Sequence, residues 1–525
     1  MTDASDGGDE NNEASEATEA KLGIAGVGAY APRRYVTSEA VEEAWGQFAG
    51  SGVQQTSVPA GDEDTLTMAA EAARLALDAA EVDAERVARL AVGTTTPPTE
   101  EPGMPARLVS MLGLDAATTT RQVGGSATGG VSALSGSLDA EGADDAELAD
   151  DDTGEEAVLV VASDDVRGDP DSAVDQAGGA GAAAVVLTPD GPGRVLGVAE
   201  HTESYPGTRF RRAGERESEE LGITAYERQA YRETVAGAVE SLGAAVGDDD
   251  ADSWIAGVDA AAIGAPDGSL PYRASDALGV GSEAIRPGSV VHDLGDCGTA
   301  TPLLGLARAL DTGSESVLVV GYGAGSEATA LMLEADESVP VTRRTAGTDE
   351  VSYAEYLRLR GEITPGEPAG GGAYVSVPSW RRTLPQRHRL VAGECPDCGA
   401  LAFPPEGACR DCHELVEYES VRLARRGAVE TATTIGQGGA PPEFVEQQAR
   451  GGSYVSAVVA FGVADAEAGG GDADRSVSVP MQVVECDETP AVGTEVRTTI
   501  RRIYEQEGVI RYGLKAVPAE AERDE

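Results

Sequence analysis

Two short cysteine pairs constrain this chain's fold more than any other feature. Cys395-Pro-Asp-Cys398 and Cys409-Arg-Asp-Cys412 are separated by ten residues. Each pair can present two thiolates from one tight knuckle, and two knuckles close a tetrahedron around zinc. Only Cys297 and Cys486 stand outside this set. In a reducing compartment the pattern implies metal and argues against disulfides. Four thiolates leave no open coordination position, so Cys395, Cys398, Cys409 and Cys412 are expected to hold a structural zinc that takes no part in chemistry. His413, next to Cys412, is expected at the surface.

Charge narrows the function. Across 525 residues, 91 acidic side chains face 39 basic ones, for a net charge of -52. Lys21 and Lys515 are the two lysines, so nearly all positive charge is arginine. Such a surface repels phosphate backbones and anionic lipid, which excludes nucleic acid and membrane surfaces as expected partners. It fits a salt-rich cytosol, where screening shortens the reach of self-repulsion. Residues 1–20 are acidic and polar and are expected to be a disordered tail without a signal h-region. With no apolar run long enough to span a bilayer, a cytoplasmic location is expected.

From Leu22 the text becomes globular. Asp62-Glu-Asp-Thr-Leu-Thr-Met-Ala begins with capping residues and continues with Leu66, Met68, Ala69, Ala73 and Leu77 at near-helical spacing, which predicts an amphipathic helix. Two similar halves follow. The first runs from the strand Leu90–Gly93 through Gly124-Gly-Ser126-Ala-Thr-Gly-Gly130, before a helix, to the strand Ala157–Ala162. The second runs from Ala261–Gly264 through Cys297, before the helix from Thr301, to the strand Ser316–Gly321. Val92 to Ser126 and Ile263 to Cys297 each span 34 positions. This equal offset predicts an internal duplication with an α/β, layered architecture. An acidic insertion is expected at Ala140–Glu156, a short helix at Ser352–Arg360, and a Gly/Pro-rich linker at 363–375. The ribbon with a leading helix then occupies 376–420. Five β-prone runs between Gly427 and Gly513 predict a small all-β barrel over 421–520.

Residues 21–362 resemble the archaeal type of hydroxymethylglutaryl-CoA synthase, in the thiolase-like superfamily. The resemblance is carried by Asp62–Ala69, Ala265-Pro-Asp-Gly-Ser-Leu-Pro, Gly321-Tyr-Gly-Ala-Gly-Ser and Tyr353-Ala-Glu-Tyr-Leu-Arg-Leu-Arg-Gly. Residues from 376 onward look like the zinc-ribbon/OB-fold proteins that accompany acyl-CoA thiolases, on the ribbon, Phe403-Pro-Pro, Gly427-Ala-Val-Glu-Thr-Ala-Thr and Tyr512-Gly-Leu-Lys. The resemblance implies a duplicated thiolase-like fold, a CoA thioester as ligand, a thiolase or related condensing enzyme as partner, and a homodimer formed through the first domain.

It also implies a catalytic glutamate, cysteine, histidine and asparagine. Their positions fall at Thr95, Ser126 (Gly125 if the register slips by one), Gly264 and Asp296, and none matches. The expectation is therefore a non-catalytic, acyl-CoA-binding scaffold. The alternative is an active acyltransferase with a relocated nucleophile, either Ser126 or Cys297 assisted by His292. His201, His388 and His413 fall at no motif position, and Cys486 is expected to be without function. Gly323 and Gly325 are the candidate cofactor-binding residues, lining the acyl cavity by resemblance or simply forming a tight turn. The cluster Arg209-Phe-Arg-Arg-Ala-Gly-Glu-Arg could face a CoA diphosphate or form a solvated, salt-bridged face.

Overall fold

The computed structural model describes residues 22–138, 156–189, 191–246, 254–325, 327–335, 338–363, 376–436, 445–464, 471–506 and 508–519. The acidic segment 1–20, nearly all of the insertion at 140–156 and nearly all of the 363–375 linker lie outside them.

The first domain is built on one ten-stranded sheet. Its path runs Thr119–Val123, Val87–Gly93, Ala157–Asp165, Ala180–Thr188, Gly23–Tyr30, Gly193–Thr202, Glu327–Ala335, Ser316–Gly323, Ala260–Ile263, with Val341–Arg344 added beside Gly23–Tyr30. The halves mirror one another about the middle. Val87–Gly93 pairs in parallel with Ala157–Asp165, which pairs antiparallel with Ala180–Thr188. Ala260–Ile263 likewise pairs in parallel with Ser316–Gly323, which pairs antiparallel with Glu327–Ala335. The 34-residue offset in sequence corresponds to this structural repetition. Among the described residues the second half has no counterpart of the Thr119–Val123 strand; Asp296 makes an isolated bridge to Gly178.

Alternation along these strands shows why they read as continuous apolar runs. In Ala180–Thr188, Ala183, Val185 and Leu187 join the core around the helices Gly129–Leu138 and Thr301–Asp311, while Ala182, Ala184 and Val186 pack toward the helix Thr65–Ala79. With both faces covered, neither can be polar. The Thr65–Ala79 helix starts in a capping box, its N-cap Asp64 accepting from the backbone N–H groups of Leu66 and Thr67. It is not amphipathic in exposure. Its polar face, including Glu71 and Arg74, is buried as well, because the second domain covers it.

The second domain opens with the helices Val377–Arg382 and Leu384–Arg389 and the short ribbon strands Val391–Glu394 and Leu401–Ala402. Five strands then close on themselves in the order Glu419–Ile435, Tyr454–Ala464, Gly471–Val483, Val509–Pro518, Glu495–Gln506 and back to Glu419–Ile435. In chain order this is 1-2-3-5-4-1, with the third and fifth strands parallel. That is the Greek-key connectivity of an OB-fold, and closure leaves no open barrel edge.

Candidate functional site

The strand Val87–Gly93 delivers Thr94, Thr95 and Thr96 to the end of the sheet, and Asp164 gathers them. Its carboxylate accepts from the hydroxyls of Thr94, Thr95 and Thr96 and from the N–H groups of Thr95, Thr96 and Thr299, at 2.7–3.0 Å. Six donors exceed the four lone-pair directions of a carboxylate, so Asp164 is committed to organising the loop.

Facing this loop is the turn after Thr119–Val123. Gly125 has φ of +83°, a conformation natural to glycine, and carries Ser126 to the mouth of a cavity. The Ser126 Oγ accepts only weakly from the Thr128 N–H, at 3.4 Å. Gly323 lies directly opposite. A Cβ added there would sit 1.9 Å from Ser126 Oγ, so the glycine permits the close approach of strand and turn. Gly325 has φ of +87°, and its carbonyl accepts from the Tyr205 N–H at 2.8 Å. Both glycines therefore have conformational and packing reasons to be where they are.

Thr95, Ser126 and Arg209 line a cavity of about 180 Å³, joined by Arg211, whose guanidinium donates to the Thr95 carbonyl. Arg209 and Ala324 also line a neighbouring cavity of about 370 Å³, walled by Tyr231, Tyr322, Glu220 and Glu227. Of the two arrangements open to the basic cluster, Arg209 does not take the solvated one. It turns inward and donates through Nη1 to Asp296 Oδ2 at 2.7 Å, while Asp296 Oδ1 accepts from the Gly298 N–H at 2.9 Å. Burial opposes the Arg209 charge, but the adjacent Asp296 more than offsets this and raises its pKa. Arg212 pairs with Glu219 at the surface.

Gly264 and Asp296 are not among the residues that line these two cavities. Gly264 donates its N–H to Val320 and accepts from the Tyr231 hydroxyl at 3.2 Å. A Cβ there would lie 3.2 Å from Pro302 and 3.3 Å from the Tyr322 backbone. Tyr231 and Tyr322 pack edge to face, their ring centroids 4.8 Å apart. Burial pushes the Tyr322 hydroxyl up to about 12.

Cys297 lies in the central core at 0% exposure, its sulfur against the Leu294 and Gly295 carbonyls. Burial, with Asp296 beside it, drives its thiol pKa well up, the opposite of an activated nucleophile. His292 is engaged elsewhere, with the Gly52 carbonyl and, at 3.3 Å, the Tyr272 hydroxyl. Neither Cys297 nor His292 lines either of the two cavities. Sequence reasoning missed the Arg209–Asp296 pair, whose members are 87 residues apart. The aspartate at the expected asparagine position was its only signal.

The four ribbon cysteines converge. Their sulfurs all lie within 4.8 Å of one another, with Cys395–Cys412 at 3.7 Å and Cys398–Cys409 at 3.5 Å. A tetrahedron with zinc–sulfur bonds of about 2.3 Å has edges of about 3.8 Å, so the set fits zinc. The knuckles are built alike: Gly399 donates to the Cys395 carbonyl and His413 to that of Cys409, both at positive φ. His413 is exposed and serves as a turn residue. Cys486, half-buried, has its sulfur near the Val483 carbonyl.

Comparison with known proteins agrees with this geometry. Residues 382–416 match the family described as "ChsH2, rubredoxin-like zinc ribbon domain". The chain is 27% identical over 368 residues to the hydroxymethylglutaryl-CoA synthase of Methanopyrus kandleri, covering 66% of this chain and 96% of that protein. It is 26% identical to the Methanobrevibacter smithii enzyme of the same name, over 65% and 99% of the two chains. The first domain has a thiolase-like fold. It superposes on MvaS in complex with 3-hydroxy-3-methylglutaryl coenzyme A with TM-score 0.53 and 21% identity, over 67% and 94% of the chains. Against 3-oxoacyl-(acyl carrier protein) synthase III of Pseudomonas aeruginosa the TM-score is 0.51 at 22% identity, over 61% and 100%. No described helix is long and apolar enough to cross a membrane.

Proposed function

We propose that this chain is an acyl-CoA-binding, synthase-like subunit without condensing activity of its own. It partners a thiolase or related acyl-CoA condensing enzyme and forms a homodimer through its first domain. The observation that carries this reading is the ion pair between Asp296 and Arg209, a residue that lines the Ser126 cavity. Condensation through an acyl-enzyme needs an activated nucleophile, a base and donors free to meet an oxyanion. Here the nucleophile position is a serine whose hydroxyl has no base against it among the described residues. The nearby carboxylates Asp164 and Asp296 are held by other groups. The Ser126 cavity, with the cationic Arg211 on its wall, suits retention of an anionic thioester. The named relatives and the ligand in the MvaS structure suggest the class of that thioester.

The test is calorimetric titration of the full chain with CoA and acetyl-CoA, with a parallel assay for condensation of acetyl-CoA with acetoacetyl-CoA and capture of a thiolase from the same cell. Binding and capture without condensation uphold the reading. A monomer that binds no CoA and captures no thiolase overturns it.

A further inference from the structure

On the face of the Thr65–Ala79 helix turned to the second domain lies a cavity of about 530 Å³ with no part in the site above. It is strongly cationic in a chain of net charge -52. Arg74 and Arg344 enter from the first domain; Arg389, Arg422, Arg425, Arg426 and Arg497 come from the second. Four carboxylates, Glu71, Asp78, Asp83 and Glu85, share the lining with these arginines, and Arg426 also meets Glu495 at 3.6 Å.

The pairing is uneven. At the rim, Arg422 meets Glu85 at 2.8 Å and Arg425 meets Asp78 at 3.2 Å. At the inner end Arg74, Arg497 and Arg344 converge on the single carboxylate of Glu71, at 3.2, 3.5 and 3.9 Å. The Nε atoms of Arg389 and Arg497 are buried without a hydrogen-bond partner among the described residues, and Arg497 is only 7% exposed. Leu75, Met111, Leu390 and Leu514 supply an apolar floor.

The local field is correspondingly positive. Burial, then Arg425, brings Arg74 down to about 10 despite Glu71; burial, then Arg422, lowers Arg389. Arg501, in the other ionic cluster between the domains, behaves oppositely: despite burial, Tyr30, Glu63 and Glu485 raise it well above its ordinary value. In the cavity, Arg389 meets no carboxylate among the described ion pairs, and Arg74 and Arg497 share Glu71.

We infer that this interdomain cavity binds an organic polyphosphate of the nucleoside-diphosphate class. Guanidinium forks match phosphate oxygens two at a time, and an apolar floor beside them accepts a flat ring. The volume lies in the range of nucleotide-sized sites. A free nucleoside diphosphate and the nucleotide end of CoA share this chemistry. The inference does not depend on the reading of the Ser126 cavity.

The experiment titrates ADP, CoA and inorganic pyrophosphate into the full chain at one fixed salt concentration, comparing wild type with R389Q and R422Q. These residues avoid the Glu71 knot, and an unchanged melting temperature verifies that each variant folds. Saturable ADP binding, weakened roughly tenfold or more by R389Q, is expected from the loss of a charge-assisted contact. CoA binding tighter than ADP, with both weakened by R389Q, assigns the site to the coenzyme's nucleotide end; CoA no tighter than ADP assigns it to free nucleotide. Pyrophosphate binding as tightly as ADP overturns the nucleoside class. No ADP binding, or binding indifferent to both variants, overturns the site.

Discussion

Lys515 Nζ lies 2.8 Å from Asp62 Oδ2, 453 positions away in sequence, and the two residues are 1% and 7% exposed. This pair, from the barrel and the N-terminal approach to the Thr65–Ala79 helix, is the centre of an interdomain clasp. Arg501 meets Glu63 at 3.1 Å, and the Tyr512 hydroxyl donates to Asp64 at 2.7 Å. The Thr499 hydroxyl donates to Glu71 at 2.8 Å. Three consecutive acidic residues that read as a helix start are also the docking surface of another domain.

Removing one partner of such a pair leaves an uncompensated buried charge. K515M is expected to lower the stability of the joined protein by about 3 kcal/mol. The double variant K515M/D62L should recover most of the loss, since an apolar pair of similar size costs little. Denaturant unfolding of the two singles and the double checks this; a double no better than K515M would show that charge pairing is not what Lys515 supplies.

The same interface sets an acid limit. Although burial alone would raise Glu71, Arg74 and Arg497 hold it down to about 2. A depressed carboxylate stabilises the folded state above its unfolded pKa of about 4.3, and that contribution is lost as pH falls toward 2. His388 acts in the same direction at higher pH: burial, then Arg74 and Arg389, bring it down to about 4. Its neutral form is favoured in the fold, so stability is lost between about pH 6.5 and 4, by up to about 3 kcal/mol. H388Q should flatten the upper part of the curve and leave the lower part in place, as measured by melting temperature against pH.

Chelating the zinc, or C395S, should unfold the ribbon, because folding free energy of such a site is largely metal-binding free energy. The effect should reach further. With the ribbon and barrel displaced, Asp62, Glu63 and Glu71 lose Lys515, Arg501 and Arg497, so the first domain should also melt earlier. Hydrogen exchange at the Thr65–Ala79 amides reads this directly; unchanged protection there would separate the domains energetically.

G323A should disturb the Ser126 turn, since the new methyl would occupy the position 1.9 Å from Ser126 Oγ. Overpacking of this kind costs about 1–3 kcal/mol. G427A, in the barrel, is crowded as well, with 2.5 Å to the Ala460 carbonyl, but should leave CoA binding unchanged. Titration of both variants with CoA distinguishes a local effect at the cavity from general destabilisation.

What was legible in the sequence was local or repeated. The zinc ligands are two knuckles within 18 residues, and their spacing alone specifies the tetrahedron. The duplication appeared as one offset counted twice, and the sheet repeats its pairing sense in both halves. The missing information was long-range. The polar side of the Thr65–Ala79 helix reads as solvated unless Arg497 and Thr499 are known to cover Glu71. Cys297 sits at the place equivalent to Ser126, yet the second half lacks the outer strand, and its turn folds into the core. The sequence leaves the Arg209 cluster open between a ligand-facing and a solvated role because nothing in its neighbourhood announces Asp296.

The central claim is a cavity that holds an acyl-CoA without reacting with it. The most direct measurement is intact-mass spectrometry of the full chain after incubation with acetyl-CoA, alongside S126C. The expected result is an unmodified wild type and an acetylated S126C, because a thiol at the same turn is intrinsically more nucleophilic than a serine without a base. An acetyl group on Ser126 of the wild type would contradict the claim.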